Sequence, residues 1–258
     1  MDKKKTIWAY SLIFIVVLLF ATPAIAATTT VHIVRYANDG TTVLNQTNVD
    51  YQWMMDNLPV LGDGVTHYYH QGPVFVDDDN ETLEQELRWN PEEDTNVQEK
   101  DMGVVKGTNL KDLCDLVGGM ALGEEVKVIS SDGFNKWFGY QNVYNYSSRE
   151  GPIGLTWYMN GNYPDTGYSD GMKLVWFADD SVNPWGIHAF GNFDWHEAAA
   201  PEYWYYYQQG SEKYPTTTGL SSKYVNRIYI YSNEVPSLAP VAAFTADPLS
   251  GTAPLTVQ

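Results

Sequence analysis

"GTNLKDLCDLVGGMALGEEVKVISSDGF", residues 107–134, holds a helix, a stop and the first arm of a hairpin in one short run. Leu110, Leu113, Cys114 and Val117 fall at i, i+3, i+4 and i+7, which predicts a helix with one apolar stripe. Asn109, or Thr108 before it, can cap the helix, and Gly118-Gly119 can take the left-handed backbone that ends it. Beyond Gly123, Val126, Val128 and Ser130 alternate with Lys127 and Ile129 as in a strand. Asp132-Gly133 then turns the chain into a second strand over 134–140. Cys114 lies on the apolar stripe, and its polar neighbours are Asp112 and Asp115. A reactive thiol needs an electropositive, accessible setting, so this one reads as a buried structural cysteine.

The same signals recur on both sides. Val31 to Tyr36 alternates, and Asn38-Asp39-Gly40 returns it into 42–44 as a hairpin. Residues 49–58 carry Tyr51, Met54, Met55 and Leu58 at helical spacing, with Pro59 as the stop. Residues 65–69 and 74–76 read as extended, and the acidic stretch 77–101 reads as a long surface loop. Further strands are expected at 154–159, 172–177 and 224–231. Short strands interrupted by a few helices make the fold class α+β, rich in mixed β-sheet.

The ends have a different character. Lys3, Lys4 and Lys5 precede an apolar run from Ile7 to Phe20, and Ala24-Ile25-Ala26 has the small residues of a cleavage site. Residues 1–26 therefore read as a signal peptide, its apolar run shorter than a membrane span and without a basic stop-transfer cluster after it. The expected protein is extracellular or held at the cell surface, with no membrane span once the signal is removed. The whole chain carries −17 at neutral pH, and loss of the leader makes the balance more acidic still. Such a surface repels the phosphates of nucleic acid. The single cysteine cannot close an intrachain disulfide. Asn45, Asn80 and Asn145 each begin an Asn-x-Ser/Thr sequon, consistent with an exported glycoprotein.

"APVAAFTADPLSGTAPLTVQ", residues 239–258, resembles the opening of a PKD domain, an immunoglobulin-like β-sandwich of cell-surface proteins. The domain plan is then signal peptide 1–26, α+β extracellular domain 27–233, linker 234–240, and incomplete PKD domain 241–258. The order of "KGTNLKDLCDLVGG", "EEVKVISSDGFNKWFGYQNVY", "GPIGLTWYMNGN", "SDGMKLVWF" and "SKYVNRIYIYS" resembles the molybdopterin-binding fold of the sulfite oxidase superfamily. It looks closest to the cofactor-less versions of secreted surface proteins, and residues 49–75 look like exported proteins of methanogenic archaea. In the catalytic members of that superfamily a loop cysteine ligates molybdenum and basic residues hold the pterin phosphate. Here the cysteine lies on a helix stripe and the sequence shows no basic cluster, so no catalytic residue and no cofactor are carried over.

Other candidates are weighed on their spacing. His67 and His70 sit i and i+3 in an extended context, where they point to opposite faces. Asp77, Asp78, Asp79 and Glu81 offer oxygen ligands that calcium accepts, without the spacing of an EF-hand loop. Asp194 and Glu197 flank His196, but no nucleophile or oxyanion donor accompanies them. The aromatic run Tyr203, Trp204, Tyr205, Tyr206, Tyr207 is the most unusual feature. Read as a strand, it places Tyr203, Tyr205 and Tyr207 on one face, and Trp185 and Trp195 lie in the loop before it. These aromatics either close the core or form a recognition patch for a glycan, a protein or a small ligand. A non-catalytic surface or matrix module is the expectation, with a cell-envelope glycan or protein as its partner. A secreted oxidoreductase or metal-dependent enzyme and a structural spacer of the envelope are the alternatives.

Overall fold

The structure is a computed structural model, and it describes residues 28–236 apart from 76–78, 94 and 182. The expected signal peptide, the PKD-like segment, Asp77 and Asp78 lie outside the described residues. In chain order the strands are β1 (Thr30–Tyr36), β2 (Val43–Asp50), β3 (Val60–Leu61), β4 (His67–His70), β5 (Asp101–Asn109), β6 (Glu125–Ser130) and β7 (Asn135–Gly139). They continue with β8 (Ile153–Met159), β9 (Lys173–Trp176), β10 (His188–Phe190), β11 (Tyr206–Gln209), β12 (Glu212–Pro215) and β13 (Val225–Tyr231). The α-helices are α1 (Tyr51–Asn57), α2 (Glu81–Arg88), α3 (Leu110–Asp115), α4 (Tyr140–Tyr144) and α5 (Asn192–Ala198).

The fold is α+β with mixed sheets. One sheet runs β2-β1-β13-β6-β7, parallel only between β1 and β13. A second runs β10-β4-β5-β8-β9, with β3 also paired to β5, and is parallel only between β10 and β4. β11 and β12 form a separate hairpin. The inward faces of the two larger sheets and the stripes of α1 and α3 meet in one apolar core, which contains Ile33, Met54, Leu113, Val128, Phe138, Trp157, Trp176 and Ile228.

The opening stretch folds as its pattern dictates. Asn109 Oδ1 accepts the Lys111 amide at 3.0 Å, and Leu110, Leu113, Cys114 and Val117 are all buried. Gly118 and Gly119 hold φ of 106° and 73°, which lets the Gly119 amide reach back to the Cys114 carbonyl at 3.0 Å. Asp132 Oδ1 takes the Phe134 amide at 2.9 Å, closing the β6–β7 turn around Gly133.

Three expectations change. The strand β2 runs through Val49 and Asp50, so α1 begins only at Tyr51; Asp50 ends the strand and caps the helix, accepting the Trp53 amide at 2.7 Å. The stretch 77–101 is not one loop, because it contains α2 and a single 3-10 turn at Val97–Glu99. Its helical pattern is hidden because the buried positions are an ion pair, Glu84 with Arg88, whose guanidinium lies 4.4 Å from the centre of the Tyr214 ring. The aromatic run is not a continuous strand. Pro201–Tyr203 is a 3-10 turn, Trp204 and Tyr205 belong to no element, and strand pairing starts at Tyr206.

Candidate functional site

The aromatics singled out from the sequence are dispersed. Trp195 is 4% exposed and packs edge-on against Phe138, Trp176 and Phe190. Its Nε1 donates to the Tyr203 carbonyl at 3.2 Å, and Trp204 Nε1 donates to the Ala199 carbonyl at 2.8 Å. The Trp204 ring lies 4.2 Å from His196, which in turn lies 4.5 Å from Trp89. The space left between these rings is only about 10 Å³, too small for a ligand. Tyr205 carries the Lys136 ammonium over its ring at 3.5 Å. Tyr207 and Trp185 are exposed, but no ring contact joins Trp185 to the others. Tyr203, Trp204 and Tyr205 therefore close the edge of the core, Tyr206 and Tyr207 belong to the β11–β12 hairpin, and the run does not share one open face.

A different aromatic surface stands on the outer side of the five-stranded sheet. Alternation sends Ile33, Ile228, Ile230, Val126, Val128 and Phe138 inward. The opposite set comes from four strands: His32, Val34 and Tyr36 of β1, Tyr229 and Tyr231 of β13, Lys127 of β6 and Trp137 of β7. The register places Val34, Tyr229, Lys127 and Trp137 in one row, and Tyr36 beside Tyr231 in the next. The rings touch in sequence: Trp137 to Tyr231 at 5.0 Å, Tyr231 to Tyr36 at 5.6 Å, Tyr36 to Tyr229 at 5.5 Å and Tyr229 to His32 at 6.3 Å. Lys127 extends over Trp137 at 4.9 Å. The surface is about 14 Å across its four strands.

The rings are half-buried against one another, and Val34 beneath them is only 1% exposed. Among the described residues the hydroxyls of Tyr36, Tyr229 and Tyr231 and the Nε1 of Trp137 have no hydrogen-bond partner. One side of a half-solvated sheet is normally polar, so this face departs from the usual alternation. Tyr203 borders it: the hydroxyl donates to Glu125 Oε1 at 2.6 Å, and the ring closes over Gly139. The signal was present in the sequence as the polar half of each alternating strand, "HIVRY" and "RIYIY", where tyrosines occupy positions usually held by charged residues.

The remaining candidates stand apart. His67 is exposed and contacts Asp101 at 2.7 Å, His70 is buried, and His188 Nδ1 donates to the Ala178 carbonyl at 2.8 Å. Among the described residues no group of three or more metal-ligating side chains occurs. Glu81 lies in the first turn of α2 beside its cap Asn80, whose side chain accepts the Leu83 amide at 3.1 Å. Asp79 precedes that cap and is exposed. Asn45, Asn80 and Asn145 are all exposed, at an edge strand, a helix N-cap and a helix C-cap respectively. Cys114 is wholly buried, and burial pushes its thiol well above the usual range. Asp194 and Glu197 line a cleft with Glu150, a buried acid held by the Asn142 amide at 3.2 Å. Burial pushes the Glu150 carboxyl up to about 8.

Among the described residues no helix is long and apolar enough to cross a membrane. Comparison with family models, with curated proteins and with solved structures finds no match for this chain.

Proposed function

We propose that the domain is a non-catalytic, exported surface or matrix module that binds a glycan through the aromatic face of its five-stranded sheet. The observation that carries this reading is the contiguous Trp137–Tyr231–Tyr36–Tyr229 surface with unpartnered polar tips. Flat rings cover the C–H faces of sugars, and free hydroxyl and indole N–H groups exchange hydrogen bonds with sugar hydroxyls. The strongly acidic chain disfavours nucleic acid as the occupant of the same rings. Buried Cys114, its thiol held protonated, is a poor thiolate ligand, which supports the cofactor-less form of the sulfite oxidase-like fold over an oxidoreductase. The exposed sequons support export, and the PKD-like residues 241–258 support a cell-surface setting.

Binding to immobilised cell-wall and matrix polysaccharides tests the reading, with the full chain and a chain ending at Pro236 side by side. Retention of either chain, lost in Trp137→Ala/Tyr231→Ala, is the expected result. Retention of neither, or retention unaffected by the double substitution, overturns the proposal.

A further inference from the structure

Beyond the lysines at 3–5 no basic cluster is visible along the sequence, yet the fold brings three lysines to one cleft. Lys100 leads into β5, Lys173 begins β9, and Lys223 precedes β13, and all three line one cleft of about 390 Å³. Asp170 accepts from Lys173 at 3.3 Å and from Lys223 at 2.8 Å. Each ammonium has three N–H donors, so a single carboxylate leaves most of them unused. Among the described residues Lys100 has no ion pair. Two further carboxylates line the cleft: Asp101, engaged by His67 at 2.7 Å and by the Gly103 amide at 2.7 Å, and Glu99, which has no ion pair among the described residues.

A buried relay adds an oriented hydroxyl. His70 Nε2 accepts the Trp176 amide at 3.2 Å, so the neutral ring carries its proton on Nδ1. Nδ1 faces Ser221 Oγ at 3.1 Å with the Thr217 backbone as a second partner of the ring, so between Nδ1 and Ser221 the ring is the donor. The Ser221 proton therefore points elsewhere, and Ser221 lines the cleft. The same tautomer removes His70 as a base for Ser221, because no lone pair faces the hydroxyl. Burial and the neighbouring Lys173 push the imidazole down to about 3, which keeps the relay neutral. Ser221 is a donor and not a nucleophile.

We infer that this cleft binds the oxyanion end of a small ligand, a carboxylate, sulfate or phosphate group. Lysines from three separate segments line it, two of them meeting at Asp170, together with a hydroxyl that cannot donate to His70. A charge-assisted acceptor satisfies the N–H donors that Asp170 leaves unused, while Glu99, Asp101 and Asp170 offset the three ammonium charges and limit the site to one small anion. The inference is independent of the aromatic sheet face.

Sulfate, inorganic phosphate and glucuronate, each titrated at low ionic strength into the full chain and followed by amide chemical shifts, test it. Saturable shifts with at least one anion are expected, and the three arms distinguish the sources of the oxyanion. Lys223→Gln and Ser221→Ala are each expected to weaken binding about tenfold, and Lys213→Gln to leave it unchanged. Lys223 is exposed, so its substitution keeps the test valid if Ser221→Ala impairs folding. No saturable response to any anion, binding indifferent to Lys223→Gln, or saturation by calcium in place of the anions overturns the inference.

Discussion

Arg35 and Glu124 form a two-pronged ion pair, with Nη1–Oε2 at 3.0 Å and Nη2–Oε1 at 3.2 Å, and the carboxylate is almost wholly buried. The pair gathers three distant pieces of chain. Arg35 belongs to β1 and also donates to the Gly119 carbonyl after α3. Glu124 takes the Ala121 amide at 2.8 Å, which shapes the turn before β6, and the Asn233 amide at 2.9 Å just beyond β13. Glu124→Ala leaves the largely buried guanidinium with only the Gly119 carbonyl and the exposed Glu234 carboxylate at 3.8 Å, and strands two backbone donors. Denaturant unfolding is expected to show a loss of about 3–5 kcal/mol. Replacing Arg35 with Met in the same chain is expected to restore part of it. A loss under about 1 kcal/mol would mean that the pair is solvated.

Glu150 sets a pH dependence. Its carboxyl titrates near the usual range in the unfolded chain and at about 8 when folded. Between roughly pH 4.5 and 8 the folded state holds a proton that the unfolded state has lost, so stability falls as pH rises through that window. Glu150→Gln keeps an acceptor for the Asn142 amide and removes the titration. The variant is expected to exceed the native protein by about 2–5 kcal/mol at pH 8, with the gap closing by pH 4.5. Parallel unfolding curves at every pH would refute the assignment.

His70 acts on the other side. A ring depressed to about 3 contributes stability above the unfolded histidine value that is lost as pH falls toward 3. The native protein is therefore expected to weaken below about pH 6.5 from this group. In hydrogen-exchange or NMR titration the His70 ring signals should stay at their neutral position down to pH 4. A midpoint near 6 would break the relay to Ser221.

Cys114 is expected to resist thiol reagents until the protein unfolds, because its side chain is wholly buried and its thiol is held protonated. Leu113→Ala on the same stripe is expected to cost about 2–5 kcal/mol. Fast labelling in native buffer would show that α3 opens locally.

On the sheet face, Trp137→Ala/Tyr231→Ala removes outward rings and leaves Phe138, Ile228 and Ile230 beneath in place. The melting temperature is expected to fall by a few degrees at most, with glycan retention abolished. A collapse in stability comparable to that of Leu113→Ala would make these rings structural.

Local periodicity determined much of the molecule. The Leu110–Val117 stripe, its asparagine cap, the paired glycine stop and the Asp132-Gly133 turn each depend on neighbours within a few residues, and all are legible in the sequence. So was the α+β class. The helix α2 was not, because its buried positions are Glu84 and Arg88, and a polar pair inside reads as a polar surface. Tertiary structure alone decided both candidate sites. The aromatic face arises from the register of four strands separated by up to about two hundred positions, while the consecutive aromatics at 203–207 are divided between the core edge, which takes Tyr203, Trp204 and Tyr205, and the β11–β12 hairpin. The lysine cleft joins residues 100, 173 and 223, which no local pattern connects. A site formed by long-range pairing leaves no periodic signal, because its residues become neighbours only when the strands between them have been ordered and their inward faces buried.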